Sequence, residues 1–188
     1  MWDAEQVRGR LTAMAAADPE HAAFGAEVHR YLLGPALSVS QVAAFEEPQG
    51  VTLPAAYREF VLAVGDGGAG PYYGLFRLDG SDMRPDDRAE RMRPSFLATP
   101  FPHVEAWNPN ASGPDSAEWM NDDEYFDPKW DAGSLIIVHF GCGAFFRLVV
   151  TGSARGQVWF DDRESDGGLM PAARDFFEWY QAWLAAPQ

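Results

Sequence analysis

The sequence is poor in cysteine and in basic residues, and it has no long hydrophobic run. A single cysteine, Cys142, cannot form an internal disulfide, so nothing in the sequence requires an oxidising compartment. Fourteen basic residues, of which Lys129 is the only lysine, face 28 acidic ones, and the net charge of −14 disfavours nucleic acids and anionic membranes. No stretch approaches the roughly 20 apolar residues of a membrane span, and no signal-peptide pattern is present. These absences predict a cytoplasmic protein that binds neither membranes nor nucleic acid.

The sequence also lacks the motifs of common enzyme classes. It contains no GxSxG or HExxH motif, and its glycine cluster, residues 65–70, follows a helical pattern instead of opening a helix as a dinucleotide-binding loop does. The four histidines and the cysteine do not have metal-ligand spacing. In a continuous strand, His139 would lie on the opposite face from Cys142, which leaves this thiol without a base. We therefore expect no catalytic residue, no metal and no cofactor.

What the sequence does have is a pair of short helical patterns between Val39 and Gly70. Ser38 or Ser40 can cap the first, and Pro48 and Gly50 end it. Leu53 and Pro54 open the second, whose apolar residues fall on one stripe: Tyr57, Phe60, Val61 and Val64. The glycine cluster ends this helix, and the aromatic residues 72–78 that follow have strand propensity.

Regular patterns flank this centre on both sides. Near-helical spacings in residues 2–14 and 18–32 predict two helices, the second starting at Asp18 and Pro19, which form an N-terminal extension over residues 1–36. Three strand patterns in residues 134–160 are joined by glycine turns and predict an antiparallel meander. A last helix places these residues on one face: Phe176, Phe177, Tyr180, Trp183 and Leu184. The prediction is an α+β fold in which helices flank an antiparallel or mixed sheet, residues 72–78 and 134–160, around one hydrophobic interior.

Residues 79–131 form an insert that is rich in proline, acidic and aromatic residues. Because loops that face only solvent seldom hold so many aromatic residues, much of the insert is expected to pack on the domain or to contact a partner. Its carboxylates lack EF-hand spacing, and no nearby feature would separate the pKa values of a catalytic pair. Two interpretations stay open for this acidic cluster, a solvated turn and a partner-facing patch. The residues concerned are Glu118, Asp122, Asp123, Glu124 and Asp127, interleaved with Trp119, Tyr125, Phe126 and Trp130.

The order of helix, Leu-Pro, helix, glycine turn and aromatic segment resembles the SUKH superfamily, also called the SMI/KNR family. The matching residues are Phe45, Gly50, Leu53, Pro54, Tyr57, Phe60, Gly67 and Gly68, with Asp66 where the family commonly has asparagine. In the C-terminal third they are Gly141, Gly143, Gly156, Val158, Asp161, Asp162, Phe176, Phe177 and Leu184. The resemblance covers Val39 to about Leu78 and Ser134 to about Leu184. It implies a single SUKH-like domain over residues 1–188.

The resemblance implies a non-enzymatic protein-binding domain. Many bacterial members look like immunity proteins that bind and neutralise a cognate toxin, often a nuclease, whereas fungal members have a regulatory scaffold role and bind signalling proteins. The acidic charge suits a basic toxin, since opposite charge steers association. The oligomeric state stays open. The expected partner contacts are Trp119, Asp122, Asp123 and Glu124 in the insert, and Asp161 and Asp162 as surface acids at the end of a strand.

Overall fold

The computed structural model describes residues 1–186, with only the backbone at Glu90, and has an α+β architecture. The described residues form seven α-helices: α1 Ala4–Ala17, α2 Ala26–His29, α3 Val39–Gln49, α4 Ala55–Ala63, α5 Pro85–Arg91, α6 Asp122–Tyr125 and α7 Phe176–Ala185. They also form four strands: β1 Ser134–Gly141, β2 Ala144–Val149, β3 Val158–Asp161 and β4 Leu169–Ala173. Within this described part of the chain, no helix combines the length and apolar character needed to cross a membrane.

The strands form one antiparallel sheet in the order β1-β2-β3-β4. The predicted meander of three strands is confirmed, but β4 is an addition that the sequence pattern does not show. Pro171 lies inside β4, and proline in a strand is tolerated at a sheet edge because its missing N–H can face solvent. The edge position therefore explains why a proline-bearing segment still pairs.

Residues 72–78 do not form a strand of this sheet, so that part of the predicted sheet is wrong. Leu75 makes isolated bridges to Gly68 and Val138, and the Phe76 N–H donates to the Ile137 carbonyl at 2.9 Å. Positive φ angles at Tyr72 (57°) and Gly74 (87°) interrupt the extended backbone. The segment therefore runs beside β1 without building a ladder.

The helix α4 supplies the centre of the larger hydrophobic cluster, on one face of the sheet. All four residues of its predicted stripe are buried, at no more than 2% exposure. Trp2 packs its ring 5.0 Å from that of Phe60 and donates its indole N–H to the Ala56 carbonyl at 2.7 Å. The first residues of the chain are thus part of the same packed layer as α4 and α7.

The helix predicted from Asp18 to Leu32 is reduced to the four residues of α2. Asp18 accepts hydrogen bonds from the Ala22 and Ala23 N–H groups at 2.7 and 3.1 Å and from the Tyr31 hydroxyl at 2.7 Å. These bonds organise a turn, because a short acidic side chain competes with helix formation for nearby N–H groups. In α7 the predicted face is also partly wrong, since Phe177 is exposed and Trp179 is buried.

The other face of the sheet carries a second hydrophobic cluster, so the expectation of one interior is wrong. Phe101 of the insert packs there on Trp159 of β3, with ring centroids 5.0 Å apart, and Val149, Ala154 and Leu169 complete the cluster. The insert therefore covers the sheet face that the helices leave open.

Candidate functional site

The part of the insert from residue 103 to residue 131 holds eight carboxylates and one lysine. It is tied to the sheet edge at Trp107 and Leu169, whose backbone N–H groups each donate to the other's carbonyl at 2.8 Å. Tyr125 is buried at 1% exposure near its other end. A strongly acidic segment is thus held against the fold at two separate points.

A buried network of four charged side chains fixes the end of this segment. Arg147 of β2 donates to Asp161 of β3 at 2.7 Å and pairs with Asp131 of the insert at 2.8 Å. Arg163 donates to the same two aspartates, at 2.8 Å to Asp161 and 2.5 Å to Asp131. Each of the four residues is at most 5% exposed. Two carboxylates and two guanidinium groups balance in charge, which buried ions require.

The position of Asp161 contradicts the expectation that it is a surface acid. Its exposure is 4%, and burial alone would raise the pKa of its carboxyl. Arg147 and Arg163 outweigh burial and lower this pKa to about 2. Asp161 is therefore an ionised structural residue that cannot contact a partner in the folded protein.

The insert forms an open groove of about 700 Å³, which we call the insert groove. Three tryptophans, Trp107, Trp119 and Trp130, supply aromatic surface, and Glu118 and Glu124 supply carboxylates. The remaining lining residues are Ala106, Asn108, Pro109, Ala117, Met120 and Lys129.

Local hydrogen bonds hold the walls of the insert groove together. The Asn110 side chain pairs with the Met120 backbone, donating to its carbonyl at 3.0 Å and accepting from its N–H at 2.8 Å. Asn121 caps the short helix α6 by accepting from the Glu124 N–H at 3.1 Å, and its amide donates to a Glu124 carboxylate oxygen at 2.9 Å. The loop walls are therefore fixed by side-chain to backbone bonds, without long helices or strands.

Trp130 lies between the acidic helix α6 and a stack of aromatic rings. Its indole N–H donates to the Glu124 carbonyl at 2.8 Å, and its ring centroid is 4.8 Å from that of Trp107. His103 lies behind both, with a ring nitrogen 2.8 Å from the Trp130 carbonyl, and burial lowers its pKa. The groove thus has a neutral imidazole behind it at neutral pH.

Lys129 places the one lysine of the chain against this aromatic wall. Its ammonium nitrogen lies 4.8 Å from the Trp130 ring centroid and 3.1 Å from a carboxylate oxygen of Asp127. An ammonium group at this distance from an indole face makes a cation–π contact. The wall therefore already accommodates a cation.

The structure brings together only part of the predicted contact set. Trp119 and Glu124 line the insert groove, with Trp119 42% exposed. Asp122 and Asp123 are exposed in the first turn of α6, next to Glu124. Asp162 is half-buried in the turn between β3 and β4, outside the groove lining. The predicted contacts in the insert form one surface, and the two strand-end aspartates are separate from it.

Sequence reasoning did not assign Trp107, Glu118, Lys129 or Trp130 to the site. Glu118 and Trp130 belong to the acidic and aromatic cluster recognised in the sequence, but their place in a shared groove depends on loop geometry. A tryptophan on each side of the carboxylate run, at residues 107 and 130, is the signal that could have indicated it. The pairing of Asn110 with Met120 brings residues ten positions apart together.

A second surface pocket, of about 430 Å³, contains both His139 and Cys142, which the sequence predicted on opposite faces of a strand. The register of β1 shifts between His139 and Gly141, so strand alternation no longer separates the two side chains, and both line this pocket. Cys142 lies in the β1–β2 turn, where it is exposed and has a positive φ of 50°. Among the side chains that the structure describes, which exclude Glu90, no group of three or more His, Cys, Asp and Glu residues is arranged to hold a metal ion.

Comparison with protein families identifies a matching family. The model of the family described as SMI1 / KNR4 family (SUKH-1) matches residues 36–182, from the start of the α3 region to the middle of α7. Searches of curated proteins and of solved structures found no match. The match includes the whole insert and leaves α1 and α2 outside it.

Proposed function

Because the chain belongs to the SMI1 / KNR4 family (SUKH-1), we propose that it is a non-enzymatic, cytoplasmic protein-binding domain that acts as an immunity protein. In this role it binds a cognate toxin whose contact surface is basic and blocks it by occlusion. The observation that carries the proposal is the acidic insert groove with its exposed tryptophan, held against the antiparallel sheet.

Charge favours a basic partner for this surface. Glu118, Asp122, Asp123 and Glu124 are all exposed within seven positions, and the chain as a whole has a net charge of −14. Complementary charge raises association rates by roughly 10- to 1,000-fold at low salt. A nuclease toxin fits this requirement, since a cleft that binds phosphate groups needs lysine and arginine. An acidic surface seated over such a cleft would exclude the nucleic acid.

The anchoring of the insert favours tight binding. The buried network at Asp131 and the backbone pair at Trp107 fix the segment before any partner arrives. A loop that is already anchored avoids part of the cost of ordering the backbone on binding. Trp119, as an exposed aromatic residue beside carboxylates, has the character of an interface anchor.

Copurification of the tagged protein from its native cells, followed by mass spectrometry, tests the proposal. We expect a basic toxin to be captured, and the triple variant Asp122→Lys, Asp123→Lys, Glu124→Lys to bind it at least 100-fold more weakly. The matched control, Glu5→Lys, Glu20→Lys and Glu47→Lys, changes the net charge equally at exposed acids outside the groove. At a salt concentration that screens long-range electrostatic attraction, this control should bind the toxin with an affinity within about threefold of wild type.

Two results would change the proposal. Undiminished binding by the triple variant would remove this surface as the interface. Capture of a signalling protein, with no toxin in the sample, would replace the immunity role with the regulatory scaffold role.

A further inference from the structure

We propose, on the basis of the protein-binding function above, that the insert groove receives an arginine side chain of the partner. The guanidinium group stacks on the exposed indole of Trp119, beside the cation-bearing ring of Trp130, and Glu118 and Glu124 accept its hydrogen bonds. The occupant is thus an arginine-bearing segment of a basic protein.

Lys129 shows that the aromatic wall of the groove can hold a cation. Lys129 keeps its ammonium nitrogen 4.8 Å from the Trp130 ring centroid, although its side chain is 56% exposed and could extend into solvent. The indole N–H of Trp130 is engaged by the Glu124 carbonyl at 2.8 Å, which fixes the orientation of the ring. Tryptophan is the aromatic side chain that attracts cations most strongly, and the neighbouring carboxylates add to that attraction.

The carboxylates of the groove favour a positively charged ligand. Glu118 and Glu124 line the groove, and Lys129 is the one cation among the lining residues. That cation is already paired with Asp127 at 3.1 Å. An anionic segment would be repelled by the two negative charges of Glu118 and Glu124, whereas a cationic one would neutralise them.

Size and geometry favour arginine over lysine. A groove of about 700 Å³ exceeds one side chain and admits the neighbouring backbone of an extended segment. Guanidinium is planar, is weakly hydrated, stacks on aromatic rings and presents five N–H donors in a fork that suits carboxylates. Lys129 already holds an ammonium group at the Trp130 ring, and the exposed indole of Trp119 offers a flat surface on which a planar guanidinium can stack.

A pair of peptides that differ in charge alone tests this recognition on the full-length protein. The probes are acetyl-Gly-Gly-Arg-Gly-Gly-amide and the same peptide with citrulline, which has the shape of arginine without its charge. Reductive methylation with ¹³C-formaldehyde labels only Lys129 and the N-terminus, because the chain has no other lysine, and it preserves the ammonium charge. We expect the arginine peptide to shift the Lys129 methyl resonance with a millimolar Kd and the citrulline peptide to bind at least tenfold more weakly.

Single substitutions test whether the arginine peptide binds in the groove. Trp119→Ala and Glu118→Gln each should weaken the arginine peptide at least fivefold, and both residues are exposed, so the variants are expected to fold. Phe24→Ala and Glu20→Gln remove an exposed aromatic residue and an exposed acid outside the groove, and should leave the Kd unchanged. Equal binding of the two peptides, or unchanged binding by Trp119→Ala, would overturn the inference.

The outcome separates this inference from the proposed function. If the partner still depends on Asp122, Asp123 and Glu124 but the arginine peptide does not bind, the protein-binding role stands and arginine recognition is wrong. If the arginine peptide binds the groove and no basic protein is ever captured, arginine recognition stands and the immunity role is wrong.

Discussion

Asp161→Asn is expected to destabilise the protein strongly, although it changes a single non-hydrogen atom. Asp161 accepts hydrogen bonds from Arg147 and Arg163 at 2.7 and 2.8 Å inside the buried network. Asparagine keeps the volume of the side chain but removes its charge. The two guanidinium groups are then left with the single carboxylate of Asp131, and one buried positive charge is uncompensated.

Two independent arguments give a similar loss in the free energy of unfolding for Asp161→Asn. The Asp161 pKa of about 2 lies about two units below the ordinary value, so ionisation of this carboxyl contributes roughly 2–3 kcal/mol to stability. Removing one partner of a buried ion pair costs about 3–5 kcal/mol. We expect a loss of about 3 kcal/mol, and since 1 kcal/mol corresponds to about 2–4 °C in a domain of this size, a fall in Tm of about 6–12 °C.

The sign of the pH dependence gives a second measurement. Because the folded-state pKa of Asp161 is lowered, its contribution is complete above about pH 4 and is lost as the pH falls towards about 2. Urea denaturation of wild type and Asp161→Asn at a series of pH values should therefore show two stability curves that converge below about pH 4.

Asp162→Asn is the matched control, since it makes the same chemical change one residue along the chain. Asp162 is half-buried, and its carboxylate forms no ion pair among those seen in residues 1–186. Its substitution should change the free energy of unfolding by less than about 0.5 kcal/mol. A loss below 1 kcal/mol for Asp161→Asn, or equal losses for both variants, would refute the assignment of a stabilising role to the network.

Two further predictions concern the N-terminal part and the glycine cluster. Burial lowers the pKa of His29 to about 4, so lowering the pH from about 6.5 to about 4 should cost up to roughly 3 kcal/mol of stability, and urea titrations of His29→Gln should lack this component. Gly68→Ala should cost more than about 2 kcal/mol by thermal or urea unfolding, because φ is 87° and the added Cβ would lie 2.3 Å from the Leu32 carbonyl oxygen. Gly50→Ala, with a positive φ of 66° but no atom within 4 Å, isolates the backbone penalty of about 1–2 kcal/mol; an equal cost at both positions would contradict the steric argument.

The parts of the fold that the sequence predicts are those specified by nearby residues. The stripe of α4 follows from helical periodicity between Pro54 and Gly65, and the β1–β2 turn follows from Gly141 and Gly143. Residues 72–78 and β4 depend on neighbours far along the chain. Residues 72–78 have strand propensity, but the positive φ at Tyr72 interrupts the extended backbone. In β4, Pro171 argues against a strand, and the segment can pair because it lies at the sheet edge.

The candidate site was predictable in composition but not in geometry. Trp119 and Glu124 stand out in the sequence because aromatic and acidic residues alternate there, and both line the groove. Asp161 was misplaced because an acid at a strand end is usually exposed, and nothing local shows that Arg147, Arg163 and Asp131 converge on it. Burial of an ion is decided by its partners in space.

Within residues 101–131 of the insert, the attachment points lie near the two ends, at Phe101 and from Tyr125 to Asp131, whereas Glu118 and Trp119 are exposed between them. Substitutions in that middle part leave the packed rings and the buried charges untouched. The exposed residues between the attachment points can therefore be exchanged one at a time while the scaffold beneath keeps its folding energy.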